Sequence, residues 1–152
     1  MKIALAQISP RLGDVEANLQ KHLETIAQAR AAGAEVVCFP ELSLTGYYLR
    51  DLTADVAVRP AAGDPVFGPL LAASKDIAVI VGFVEETPRF LYYNSAAYLA
   101  DGDVVHIHRK VCSSAKTCGT CRCRTWPGWT VPTTLLGWWL RPAAACAPRA
   151  SV

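Results

Sequence analysis

"AEVVCFPEL", Ala34 to Leu42, holds a short apolar run that Pro40 stops, with a carboxylate, Glu41, directly behind it. A run this short, ended by proline, reads as a buried strand. Upstream, Asp14 is placed to cap a helix whose apolar positions Val15, Leu19, Leu23, Ile26 and Ala27 recur at helical spacing, and Gly33 is placed to end it in a left-handed conformation. Further upstream, "KIALAQIS" followed by Pro10 and Gly13 reads as another buried strand, Lys2 to Ile8, with its exit turn. Strand, helix, strand with one helix between predicts a parallel pair and an α/β layer architecture. Downstream comes a long aperiodic loop, residues 41–64, then a helix over residues 65–74 and the strand "IAVIVGFVEE". "LYYNSAAYLA" and "VVHIHRK" around Asp101-Gly102-Asp103 read as a hairpin. A loop of that length at a strand end calls for a reason other than packing.

Two compositions share the chain of 152 residues. Residues 1–111 carry 10 Lys/Arg against 13 Asp/Glu, whereas residues 112–152 carry 5 basic residues and no acid, giving the net +2. Cys38 is the only cysteine before Cys112, and all four tryptophans lie in the tail. The front part, with a single cysteine, is no disulfide framework. The longest apolar stretch, Ile77 to Val84, is too short to span a bilayer, and Lys2 to Ile8 lacks the length and cleavage site of a signal peptide. The expectation is a cytoplasmic protein with no membrane partner. Scattered basic residues give no case for nucleic acid.

Glu41 sits where ligands bind in open α/β sheets, beyond the carboxyl end of a strand. Lys110 also ends a strand, and a lysine beside a carboxylate would hold positive charge where an oxyanion forms. A solvated loop glutamate and a surface lysine are the plainer alternatives. His106 and His108 lie two apart on one strand face, half of a metal site at most, with structural histidines as the alternative. Glu85 and Glu86 end another strand, either within possible reach of Glu41 or as an exposed acidic turn.

The ordered set of Gln7, Gly13-Asp14, Phe39-Pro40-Glu41-Leu42, Gly46-Tyr47, Tyr93-Asn94 and Arg109-Lys110 resembles the nitrilase, or carbon-nitrogen hydrolase, superfamily, over Met1 to about Val111. The resemblance implies an α-β-β-α sandwich, here partial, assembled as a homo-oligomer. It also implies cleavage of a non-peptide carbon-nitrogen bond in a small amide or nitrile by a Glu-Lys-Cys triad, without cofactor or metal. Glu41 would be the general base, Lys110 the oxyanion-stabilising cation, and Tyr47 part of the substrate pocket. Within the family, "LTGYYLRDL" also resembles the glutaminase domain of glutamine-dependent NAD synthetases, whose loop runs Leu-Thr-Gly-Tyr-Pro-Pro-Glu-Asp-Leu. Tyr48, Leu49 and Arg50 stand in for Pro-Pro-Glu, a departure that leans toward a stand-alone amidase or nitrilase-like enzyme.

The resemblance stops after Lys110. The family continues toward a nucleophile on a strand-ending turn, apolar-apolar-Cys followed by an acidic or aromatic residue, and residues 112–152 show no such segment. The expectation is a tail that is frameshifted or disordered and a chain without turnover. Two alternatives remain open. Cys146 lies 36 residues after Lys110, near the family's interval, and is the candidate nucleophile, although "AAACAPRA" lacks the strand and the acid around it. Cys118, Cys121 and Cys123, with Cys112 or Cys146, form a candidate zinc site, which would make the chain a non-enzymatic metal or interaction module.

Overall fold

A computed structural model describes residues 1–110. Cys112, Cys118, Cys121, Cys123 and Cys146, and with them the zinc-site and nucleophile readings of the tail, lie outside the described residues. The elements follow the expected order: β1 (Ile3–Leu5), α1 (Val15–Ala31), β2 (Val36–Cys38), α2 (Thr53–Val56), α3 (Phe67–Ala73), β3 (Ala78–Glu86), β4 (Tyr92–Ala100) and β5 (Asp103–Arg109). They build one five-stranded sheet in the order β1-β2-β3-β4-β5. The first three strands are parallel, and β4 and β5 return antiparallel.

Local chemistry explains where these elements start and stop. Asp14 caps α1 by accepting a hydrogen bond from the Ala17 amide at 3.1 Å, and Glu16 and Arg30 suit the two ends of the helix dipole. Gly33, at φ +74°, ends it in the left-handed region. β1 covers three residues rather than the seven expected, because its ladder to β2 runs only from Ile3↔Val36 to Leu5↔Cys38. The long loop holds a single 3-10 turn (Arg50–Leu52) and α2, elements too short for helical periodicity to reveal. Beyond Cys38, Val58 takes over beside β3, bridging Glu85 in parallel.

The sheet has two different faces. Val79, Val81 and Phe83 of β3, with Ala97 and Leu99 of β4, pack in one core with Ile26 and Ala29 of α1 and Phe67, Leu70 and Leu71 of α3. On the opposite side, Val84 forms a second, smaller cluster with Leu42, Leu49 and Val56 from the long loop. The deepest stripe of α1 is Asn18, His22, Ile26 and Ala29, rotated from the face its apolar residues suggest. Leu19 and Leu23 pack at its margin, and Ala27 is exposed. The rotation follows from Asn18 and His22, whose polar groups find partners inside. Among the described residues no helix is long and apolar enough to cross a membrane.

Candidate active site

The backbone after β2 makes a compact turn. The Ser43 amide bonds the Pro40 carbonyl at 3.3 Å, the Gly46 amide bonds the Leu42 carbonyl at 2.8 Å, and Leu42 itself adopts φ +51°. Leucine rarely enters that region, so neighbouring contacts must hold the turn in place. Two sets of contacts do so. From the sheet, the Leu44 amide donates to the Gly82 carbonyl at 3.2 Å. A Cβ on Gly82 would lie 2.6 Å from the Pro40 oxygen, 2.7 Å from the Leu42 nitrogen and 3.0 Å from the Glu41 Cα. The turn therefore rests directly on β3 backbone, which only glycine permits.

From the helix side, a chain of buried polar groups reaches the same turn. Asn18 Nδ2 donates to the Arg11 and Leu44 carbonyls, at 2.7 and 3.0 Å. His22 Nδ1 lies 2.6 Å from the Asn18 carbonyl, and Nε2 lies 2.9 Å from the Ser43 hydroxyl. A carbonyl can only accept, so Nδ1 carries the proton and Nε2 accepts from Ser43. Burial pushes the His22 pKa down to about 4, against the smaller opposing pull of the Asn18 carbonyl. The ring is neutral at ordinary pH.

Strand parity brings the other site residues to this turn. Val105 is the extra residue of a bulge, since Tyr98 pairs with His106 while Leu99 pairs with Val104. After the bulge, Ile107 and Arg109 share the helix-covered face, while His106, His108 and Lys110 share the opposite face with Asn94 and Gly82. The Lys110 amide donates to the Asn94 carbonyl at 2.8 Å. Lys110 Nζ then lies 2.6 Å from Glu41 Oε1, and Asn94 Nδ2 donates to the same oxygen at 2.6 Å. The ion pair is part-exposed. Beside it a cleft of about 240 Å³ is lined by Tyr47, Val84, Tyr92, Tyr93 and Asn94, among others.

The structure thus joins Glu41 to Lys110, 69 residues apart, while Tyr47 lines the cleft together with Asn94. Asn94, which the sequence offered as part of the family pattern but without a role, is the further member, and its alternation with Ala96 and Tyr98 could have put it on the Lys110 face. Glu85 and Glu86 have other partners. Glu86 pairs with Arg59 at 2.9 Å, and the buried Glu85 accepts from Ser95 at 2.8 Å and from two Arg109 nitrogens at 2.7 and 2.6 Å. His106 and His108 are exposed, and among the described residues no three His, Cys, Asp or Glu side chains gather to hold a metal.

Arg109 has a defined task next to Lys110. Burial alone would push the Glu85 carboxyl up, but the hydrogen bonds from Arg109 and Ser95 and the charge of Arg109 together hold it below its ordinary value. The guanidinium also stacks over Tyr93, 4.6 Å from the ring centre. Arg109→Met leaves a buried carboxylate without its cation and should cost about 2 kcal/mol, less than a fully buried pair because Arg109 is half exposed. The sign of the pH dependence is the sharper test. With Arg109 present, the stability Glu85 contributes is lost as pH falls through its depressed folded pKa. In the variant burial dominates, the folded pKa rises, and acidification stabilises instead. Urea unfolding from pH 6 downward, taken as the difference between variant and unaltered protein so that the contribution of His22 cancels, reads both signs.

Comparison with known proteins identifies the family. The carbon-nitrogen hydrolase family model matches residues 2–114. A glutamine-dependent NAD(+) synthetase of Acinetobacter baylyi is 38% identical over 111 residues, covering 72% of this chain and 20% of that protein. An arylacetonitrilase of Aspergillus niger is 29% identical over 122 residues, covering 73% of this chain and 37% of that protein. Among solved structures, Saccharomyces cerevisiae Nit3, a member of branch 10 of the nitrilase superfamily, superposes with a TM-score of 0.65 at 25% identity, over 73% of this chain and 44% of that one. The chain spans about a fifth of the length of the curated synthetase relatives it matches. With the sheet, the Glu41 turn and the family match all falling in the same residues, the chain belongs to the carbon-nitrogen hydrolase family.

Proposed function

We propose that residues 1–110 supply the base and the cation of a Glu-Lys-Cys amide hydrolase of the glutaminase type, the part of a glutamine-dependent synthetase that frees ammonia from an amide. The observation that carries it is the Glu41–Lys110 pair, 2.6 Å apart beside the Tyr47 cleft. The NAD synthetase relatives support the glutaminase type over the stand-alone amidase or nitrilase-like enzyme to which Tyr48, Leu49 and Arg50 lean. Three residues of one loop weigh less than identity spread over 111.

The chemistry assigns each residue a step. Glu41 takes the proton of a cysteine thiol, and the thiolate attacks the amide carbon. Lys110 stabilises the oxyanion. As the carbon-nitrogen bond breaks, Glu41 returns the proton to the departing nitrogen, which leaves as ammonia. A water then gives its proton to Glu41, its oxygen displaces the thiol from the thioester, and the carboxylic acid and the free cysteine result.

No cysteine among the described residues follows Lys110, where the family carries its nucleophile, and Cys38 lies in β2. We accordingly expect the 152-residue chain to release no ammonia from glutamine, short amides or nitriles in a coupled assay. A turnover that disappears in Cys146→Ala would make Cys146 the nucleophile and overturn that expectation. Sequencing the coding DNA past the Lys110 codon tests the frameshift. Another frame that yields an apolar strand ending in Cys and an acidic residue supports it, and its absence from all three frames refutes it.

A further inference from the structure

Arg109 and Lys110 are consecutive and face opposite ways. Arg109 is the last residue of β5 and lies on the helix-covered face, while Lys110 follows it and reaches Glu41 on the other face. β5 stands at the edge of the sheet and pairs with β4 alone. The end of an edge strand is held by few backbone bonds and opens readily. The Glu41–Lys110 pair is part-exposed, and such a pair contributes too little to fix a strand end by itself. Lysine also has a flexible four-carbon stem, so its ammonium is placed only when its backbone is.

The anchor lies on the Arg109 side. Its Nε and Nη2 donate to the two oxygens of Glu85 at 2.7 and 2.6 Å, and only 4% of the Glu85 side chain is exposed. Forked, charge-assisted bonds of this kind are among the strongest that side chains make. Ser95, which pairs with Arg109 across the strands, donates its hydroxyl to the same carboxylate at 2.8 Å. Tyr93 lies under the guanidinium. Between Tyr93 and Ser95 stands Asn94, whose carbonyl accepts the Lys110 amide and whose side chain donates to Glu41. Three consecutive residues of β4 thus hold Arg109 on one face and the Glu41–Lys110 pair on the other.

We propose that Arg109, locked to Glu85, is the positioning residue for Lys110: it fixes the end of β5 from the helix-covered face and so aims the ammonium at Glu41 on the opposite face. The inference rests on the reading of Lys110 as the cation of the site and deepens it by naming what places that cation. The fork matters as well as the charge, because Arg109→Lys keeps the charge but cannot hold both Glu85 oxygens in one plane.

The test reads the ion pair itself and so does not depend on turnover. The 152-residue chain is pulsed with acetic anhydride, and acetylation of each lysine is followed by peptide mass spectrometry against the exposed Lys75. In the unaltered chain Lys110 should react about threefold or more slowly than Lys75, because its ammonium is held by Glu41. In Arg109→Met it should speed up by about threefold, while Lys21, bonded to the Ser9 carbonyl, keeps its rate. The direction separates placement from charge: losing a neighbouring cation favours the unreactive ammonium and by itself slows Lys110, whereas release from Glu41 speeds it. Arg109→Lys, with fragment ions resolving the two adjacent lysines, should speed Lys110 likewise. An unchanged or slower Lys110 in Arg109→Met overturns the role of Arg109 and leaves the Glu41–Lys110 pair intact. Equal rates for Lys110 and Lys75 in the unaltered chain overturn the pair, and with it the observation that carries the hydrolase reading. If every lysine speeds up in Arg109→Met because the fold is lost, Arg109→Lys decides, and the same general rise there makes Arg109 purely structural and overturns the proposal.

Discussion

Replacing Gly82 with alanine is expected to destabilise the protein by about 3 kcal/mol and to dislodge Glu41 from Lys110. The added methyl would sit 2.6 and 2.7 Å from backbone atoms of Pro40 and Leu42, neither of which is the yielding end of a side chain. Either β3 bends away from its neighbours or the whole turn lifts off the sheet. Lifting the turn breaks the Leu44 amide bond to the Gly82 carbonyl and disturbs the cluster of Leu42, Leu49, Val56 and Val84. Gly63→Ala is the control, since no atom lies within 4 Å of its added carbon and its φ is not positive. It should shift the urea midpoint by less than about 0.5 kcal/mol. A Gly82→Ala midpoint equal to that of the control would mean that the Glu41 turn does not rest on β3.

Acidification should unfold the protein through His22. The ring is wholly buried and titrates near pH 4, against 6.5 for an unhindered histidine. Between those values the unfolded chain binds a proton that the folded chain refuses, so stability falls as pH drops below about 6.5 and stops falling below about 4. The full effect is about 3 kcal/mol, and about 2 kcal/mol of it falls between pH 7 and pH 5, above the range where carboxylates titrate. His22→Gln should flatten the curve in that window whatever its effect on overall stability. An unchanged slope from pH 7 to pH 5 in His22→Gln would assign the acid sensitivity elsewhere. Because Nε2 accepts from Ser43, two residues from Glu41, protonating His22 also removes the acceptor that steadies the turn.

The helix, the strands and the Asp-Gly hairpin were legible because each rests on local signals: an Asp cap, apolar spacing, a Gly after the helix, a Pro after β2. Glu41 and Lys110 were legible as strand-end residues within a family pattern. The interior of α1 was not. Asn18 and His22 are polar by type and become the deepest part of the helix only because Arg11, just before the helix, and Ser43 and Leu44, distant in sequence, satisfy them. Asn94 illustrates the same limit. Its face follows from strand alternation, but its unpaired Oδ1 exists only once Glu41 occupies the opposite end of the amide. Gly82 lies between. A glycine inside an apolar strand signals a close approach, yet which segment approaches is a tertiary fact.

The most direct test of the Glu41 and Lys110 roles supplies the rest of a catalytic domain. Residues 1–110 are exchanged for the matching segment of the Acinetobacter baylyi NAD synthetase relative, and ammonia release from glutamine is measured with and without Glu41→Gln. The chimera should release ammonia, and Glu41→Gln should lower the rate by about 100-fold or more. A chimera that turns over equally well after Glu41→Gln would strip Glu41 of its role as the base.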